Sequence, residues 1–252
     1  MKKRMSSLSI ALIATLLVFA LSMTLIIGTS TTWGKVEITD LDLATGDGDR
    51  IHALLYKPKT ATEENPAPLA IIAHGGSDML EQASGYAIEL SRRGYVVMTY
   101  DYAGQASSDV PTGNAEGNSG LSGYGKRGLN TIWNAVKHFN FIDQDHIVTM
   151  GHSAGGMHTI GFAIDHQDEI FLQVNLGMNM YGPKEISEHN FNFVNILGDS
   201  DESALARAVG DTNLSHFQTE QLKRMFFNDY ETDTEKLPEL ILNKTYTVTG
   251  TD

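Results

Sequence analysis

Residues 69–73, Leu-Ala-Ile-Ile-Ala, form an unbroken apolar run that stops at His74-Gly75-Gly76. A run so short and so uniformly apolar predicts a β-strand covered on both faces, a situation typical of parallel sheets flanked by helices. Helix and strand signals then alternate along the chain. Leu80, Ala83, Ala87 and Leu90 recur at helical spacing, with Arg92-Arg93 favourable to the helix dipole and Gly94 able to close the turn. Residues 95–100 read as the next strand. A loop rich in Gly, Ser and Asp then leads to Leu129, Ile132, Trp133, Val136 and Phe139 at helical spacing. Strand 146–150, a helix carrying Ile160, Ala163 and Ile164, and strands 171–176 and 193–197 continue the alternation. Residues 204–238 read as helical and polar, and residues 244–249 as a last strand. Upstream, residues 36–43 and 51–56 flank Gly46-Asp47-Gly48-Asp49, a cluster suited to the turn of an opening β-hairpin. The fold class implied is α/β, with a mostly parallel central sheet and helices on both faces. At 252 residues the chain holds one such domain and a short extra segment.

That extra segment is N-terminal. Residues 8–28 carry no charge, and at about 1.5 Å per residue they match the roughly 30 Å hydrocarbon layer of a bilayer. They resemble a signal anchor or a cleaved signal peptide. A cleavable signal has a shorter apolar stretch and a small-x-small site, whereas this one ends in Ile26-Ile27-Gly28-Thr29-Ser30, which favours an uncleaved transmembrane anchor. Lys2, Lys3 and Arg4 place residues 1–7 in the cytoplasm as a basic tail, and residues 35–252 on the outer side of the cell membrane. Trp33 stands where an interfacial aromatic would sit.

Lys and Arg total 18 against 31 Asp and Glu, for a net charge of −13, and the three N-terminal basic residues leave the rest more negative still. Such a body repels phosphate backbones, which argues against a nucleic-acid partner. The absence of cysteine removes disulfides, thiolate catalysis and cysteine metal sites together. No H-E-x-x-H or comparable ligand spacing appears, so neither a metal nor another cofactor is expected. No G-x-G-x-x-G follows the first parallel strand, which sets aside dinucleotide binding.

Gly151-His152-Ser153-Ala154-Gly155 lies between a predicted strand and a predicted helix. A serine hydroxyl is a poor nucleophile unless it is held in the open beside a base and near donors for an oxyanion. A sharp strand-to-helix turn with small flanking residues gives it that position, so Ser153 is the candidate nucleophile. Gly75 and Gly76, after the earlier buried strand, are candidates to offer backbone N–H groups to an oxyanion beside that of Ala154.

With its opening hairpin, His74-Gly75-Gly76, Asp101-Tyr102-Ala103-Gly104-Gln105-Ala106-Ser107 and the serine elbow, the chain resembles the α/β-hydrolases from about Lys35 onward. The dienelactone-hydrolase and prolyl-oligopeptidase-like branches are the most similar. Ala106 stands where that family's D-x-x-G-x-G-x-S stretch has its second glycine. The resemblance implies a serine hydrolase acting on an ester, thioester or peptide bond, in a small molecule or a peptide, through an acyl-enzyme. It implies a triad acid in Gly198-Asp199-Ser200-Asp201, with Asp201 the choice and Asp199 and Glu202 its rivals. The family order then calls for a histidine, and the one histidine after Asp201 is His216, in a polar stretch that reads as a helix start and closer to the acid than the family places its base. His152 and His158 precede the acid and do not fit. The expectation is a domain lacking its C-terminal end, with the base beyond Asp252. The alternative is a noncatalytic binding or sensing domain on the same scaffold. Substrate choice is expected from loops 107–124 and 178–189.

Overall fold

A computed structural model describes residues 6–76, 78–112, 121–177, 191–198 and 244–248. The N-terminal helix α1 (Ser7–Ser30) is capped by Ser6, whose hydroxyl accepts from the Ser9 N–H at 3.1 Å. Its threonines hide their hydroxyls within the helix: Thr15, Thr24 and Thr29 donate to the carbonyls of Ala11, Ala20 and Leu25 at 3.0, 2.9 and 2.8 Å. That leaves the helix surface almost wholly apolar, and the helix is long and apolar enough to cross a membrane.

After a tight turn the chain forms β1 (Val36–Ala44) and β2 (Arg50–Pro58), the expected antiparallel hairpin. Next are β3 (Ala67–Ala73), a 3₁₀ turn (Leu80–Ala83) leading into α2 (Ser84–Arg92), β4 (Val96–Tyr100), α3 (Leu121–Val136) and β5 (Ile142–His152). Then come α4 (Ala154–Asp165), β6 (Leu172–Leu176), β7 (Asn192–Gly198) and β8 (Lys244–Val248). The eight described strands form one sheet in the order β1-β2-β4-β3-β5-β6-β7-β8. The first two pairings, β1 with β2 and β2 with β4, are antiparallel, and all others are parallel.

The buried run in β3 explains the layering. Leu69, Ile71 and Ala73 point into one core with Leu129, Ile132 and Trp133 of α3 and Ile160 and Phe162 of α4. Ala70 and Ile72 point into the other, with Ala83 and Ala87 beneath α2. Helices therefore cover both faces, as the uninterrupted apolar pattern requires.

Two elements extend beyond their sequence signal. Strand β5 begins at Ile142 rather than at His146, because the polar residues Asp143, Gln144 and Asp145 are carried by an irregularity in the pairing where the register shifts between Pro68 and Leu69. Helix α3 begins at Leu121, inside the segment expected to be a loop, and its glycines disguise it. A Cβ at Gly125 would lie 2.2 Å from the His158 ring, and one at Gly128 2.6 Å from the Tyr100 ring, so these glycines let α3 approach its neighbours. Close packing outweighs their poor helix propensity.

Candidate active site

The chain runs from β3 outward to β4 on one side and then returns to β5 on the other. The C-terminal ends of β3 and β5 are thereby brought side by side at the point where the winding reverses, the place where open α/β sheets bind ligands. Ala73 pairs with Gly151, which sets His74-Gly75-Gly76 against Ser153.

Ser153 itself has φ 50° and ψ −118°, between the last residue of β5 and the first of α4. A serine in that conformation is strained, and surrounding contacts must hold it there. Its N–H donates to the Leu176 carbonyl of β6 at 3.0 Å, and its own carbonyl accepts from Gly156 N–H at 3.0 Å. The flanking glycines are needed for space. A Cβ at Gly151 would lie 2.2 Å from the Gly155 carbonyl carbon, and one at Gly155 would lie 2.3 Å from the Ala73 oxygen and 2.6 Å from that of His74. Only at glycine can the start of α4 pack this tightly on the ends of β3 and β5. The side chain of Ser153 is half-buried and remains reachable.

The three candidate oxyanion donors are not equivalent. Gly75 N–H donates to Gln82 Oε1 at 2.6 Å, and Gln82 in turn donates to Asp78 at 2.6 Å. Gly75 is therefore occupied by a side chain from the 3₁₀ turn. Gly76 and Ala154 have no hydrogen-bond partner for their N–H among the described residues, and Ala154 is the first residue of α4, where a helix leaves N–H groups open. A pocket of about 120 Å³ opens beside the elbow, lined by Ala73, His74, Gln82, Tyr86, His152 and Leu176.

Beneath the elbow lies an aromatic and histidine cluster. The His74 ring stacks on Tyr102 with centroids 3.8 Å apart, and Tyr102 meets His158 edge-on at 4.9 Å. His74 Nδ1 donates to the Gly75 carbonyl at 2.6 Å, and the Tyr102 hydroxyl donates to the His74 carbonyl. Burial lowers the His74 pKa, and burial together with the neighbouring His74 pulls His158 down to about 4. Both rings are neutral near pH 7 and shape the base of the site.

Asp101 anchors the loop after β4. Its carboxylate accepts from Leu80 N–H at 2.9 Å, Ser107 N–H at 3.2 Å and His52 Nδ1 at 2.9 Å. Burial alone would lower the His52 pKa, but its bonds to Asp101 and Asp40 raise it. Ala106, where the resembling family has glycine, adopts φ 43°, so this alanine carries the left-handed turn that a glycine would make freely.

A second polar group lies under α4. Gln173 of β6, fully buried, accepts from Thr149 of β5 and donates to Thr159 of α4 at 2.9 Å and to Asn175 at 2.9 Å. Thr159 donates onward to the Gly155 carbonyl at 3.0 Å. The sequence pattern gives no sign of this network or of the Gln82 contact. The alternation Leu172-Gln173-Val174-Asn175-Leu176 resembles a half-solvated strand, and nothing local reveals that its polar face is covered by a helix.

Asp199, Asp201, Glu202 and His216 lie outside the described residues. The strand preceding the acids, β7, ends at Gly198, on the same edge of the sheet as the elbow. Among the described residues no histidine bonds to Ser153 Oγ, and no group of three or more His, Asp or Glu is placed to hold a metal ion.

A family model described as serine aminopeptidase, S33, matches residues 64–203, more than half of the chain. Among solved structures the chain is similar to a candidate dipeptidyl aminopeptidase IV from Bacteroides ovatus, with a TM-score of 0.58 and 14% identity over 85% of this chain and 32% of that one. It is similar to a candidate dienelactone hydrolase from Klebsiella pneumoniae, with a TM-score of 0.55 and 14% identity over 86% of each chain. A hypothetical protein from Pseudomonas aeruginosa aligns with a TM-score of 0.50 and 17% identity over 74% of this chain and 50% of its own. The chain thus spans half of the Pseudomonas protein and about a third of the Bacteroides one. No curated protein sequence matches it. With the strand-turn-helix at Ser153, the strand order and the family match in agreement, the chain has the fold of the α/β-hydrolase superfamily and belongs to the family described as serine aminopeptidase, S33.

Proposed function

We propose that this chain is a membrane-anchored serine hydrolase that cleaves an ester, thioester or peptide bond through an acyl-enzyme at Ser153. The observation that carries the reading is the strained Ser153 backbone, at φ 50°, held at the tip of β5 by glycines that leave no room for a side chain. In this reading Ser153 Oγ attacks the carbonyl carbon and its proton passes to a histidine base. The Gly76 and Ala154 N–H groups face the developing oxyanion, and the bond to the leaving group breaks as that group takes up the proton. Water then releases the acyl group by the reverse proton path. Asp201 is the acid assigned to orient the base. The small pocket beside His152 and Leu176 favours a short acyl group or a small side chain at the scissile carbonyl. Helix α1 carries the membrane anchor, with the body on the outer side.

The test is labelling of the full chain by a fluorophosphonate probe. Wild type is expected to label, and Ser153→Ala to lose the label completely. Absence of labelling in wild type, both in this chain and in a version extended to the native stop codon, would overturn the nucleophile assignment and leave a binding domain on a hydrolase scaffold.

A further inference from the structure

The peptide groups that follow β3 are held one by one. The His74 carbonyl accepts from the Tyr102 hydroxyl, and the Gly75 carbonyl accepts from His74 Nδ1 at 2.6 Å and from Asp78 N–H at 3.3 Å. The Gly76 carbonyl accepts from Gln105 Nε2 at 3.2 Å. Three bonds close a ring: Gly75 N–H donates to Gln82 Oε1, Gln82 Nε2 to Asp78 Oδ2, and Asp78 N–H back to the Gly75 carbonyl. Of the backbone polar groups of Gly75 and Gly76, the Gly76 N–H is the one left without a partner among the described residues.

Gln82 is the member of this ring that lies outside the turn. It belongs to the 3₁₀ segment Leu80–Ala83, is exposed, and forms part of the wall of the pocket beside the elbow together with Tyr86, one helical turn further on. The 3₁₀ segment is itself fixed to the loop after β4, where Leu80 N–H donates to the Asp101 carboxylate at 2.9 Å. A Cβ at Gly75 would lie 3.1 Å from Asp78 Oδ2 and 3.3 Å from Gln82 Oε1, so glycine at this position gives both side chains room to close in. A side-chain amide supplies what the ring needs, an acceptor and a donor on one planar group. A carboxylate there would accept without donating, and an aliphatic chain would do neither.

Glycine is the residue whose φ and ψ are least restricted, so two in succession need outside partners to keep an N–H in one direction. An oxyanion donor stabilises the transition state only if it is aimed before the charge develops. We propose that Gln82 is a positioning residue: by locking the Gly75 peptide through this ring, it holds the next N–H, that of Gly76, towards the oxyanion formed at Ser153. The inference rests on the reading of Ser153 as nucleophile with Gly76 and Ala154 as its oxyanion donors. Because Gln82 also lines the pocket, its two effects separate in kinetics. Altered bulk changes how tightly a ligand binds, whereas a misaimed donor slows the bond-forming step.

The test follows fluorophosphonate labelling of the full chain in detergent, as a maximal rate and a half-saturating probe concentration, for wild type, Gln82→Met and Gln82→Glu. Methionine keeps the length and bulk of glutamine but neither arm of the ring. Gln82→Met is expected to lower the maximal rate by about tenfold or more, a part of the roughly 10²–10³ that loss of a whole oxyanion donor costs, and to leave the half-saturating concentration within about twofold. Gln82→Glu restores the acceptor for Gly75 but sets a second carboxylate against Asp78, and two carboxylates so close come to share a proton as the pH falls. Its rate relative to wild type is therefore expected to rise several-fold from about pH 8 to about pH 5.5, while that of Gln82→Met stays level. Glu81, Asp101, His74 and His152, the other ionisable groups around the turn and pocket, are common to all three proteins and cancel in these ratios. A Gln82→Met rate equal to wild type, a loss confined to the half-saturating concentration, or a level Gln82→Glu ratio overturns the positioning role while labelling of Ser153 stands. Should Gln82→Met fail to fold, the Gln82→Glu ratio alone decides. A wild type that does not label overturns the nucleophile and this inference together.

Discussion

His158 shows how a single residue ties the site to the stability of the body. Its ring fits a slot that exists because Gly125 has no side chain, and its buried Nε2 has no hydrogen-bond partner among the described residues. Burial, reinforced by His74, lowers its pKa from 6.5 to about 4. The unfolded chain therefore takes up a proton near pH 6.5, while the folded chain refuses it until about pH 4. Stability from this residue is fully present above pH 6.5 and is lost as pH falls towards 4, because the unfolded state binds more protons throughout that window. Between pH 7 and pH 5 the loss should be about 2 kcal/mol, with His74 acting in the same direction and His52, whose pKa is raised, in the opposite one. Denaturant unfolding of wild type and His158→Phe at the two pH values checks this. The variant fills the slot without a titrating group and should flatten the dependence by that amount. An unchanged dependence would show that the ring is not the group responsible.

Among the elements, β6 explains why the site is less legible in the sequence than the fold. The strand order follows from signals that act locally: the uniform apolar run of β3, the turn cluster between β1 and β2, and the helical spacing of α2. Ser153 is legible because glycines at both flanks leave a mark in the sequence. The support beneath it is not, since Gln173 becomes a buried residue only after β5, β6 and α4 assemble. Gln82 is hidden for the same reason, because its bond to Gly75 joins a turn to a strand end. Replacing Gln173 by leucine would keep the bulk and leave Thr149, Thr159 and Asn175 without their shared partner. Each buried group so deserted costs about 1–3 kcal/mol, partly relieved where a threonine keeps its bond to a helix carbonyl, as Thr159 does to Gly155. Gln173→Leu is expected to lower the unfolding free energy by more than about 2 kcal/mol and to slow fluorophosphonate labelling, because the Thr159 hydroxyl that holds the Gly155 carbonyl loses its own tie to β6. A loss below about 0.5 kcal/mol, within the range of ordinary surface substitutions, would show that the network contributes little to holding the elbow.

At the scale of the whole molecule, the chain combines two solutions to the burial of apolar surface. In the body, both faces of the sheet are closed by its own helices. Along α1 the side chains of Leu8, Leu17, Phe19 and Ile26 are more than half exposed and meet no part of that core. Among the described residues only the end of the helix touches the body, through Gly28 and through Thr29, whose carbonyl accepts from Arg92 of α2. The body's stability should therefore be nearly independent of the helix, whereas solubility should depend on it entirely. A chain beginning at Thr31 is expected to remain monomeric in buffer without detergent and to unfold with the denaturant slope of the full chain in a nanodisc. Its unfolding free energy should lie within about 1 kcal/mol of the full chain, the scale of the exposed contacts that are lost. The full chain transferred to buffer is expected to aggregate through its exposed apolar helix. A truncated body that unfolds several kcal/mol more easily would mean that α1 packs on the domain as a core helix, which would remove the basis for placing it in a bilayer.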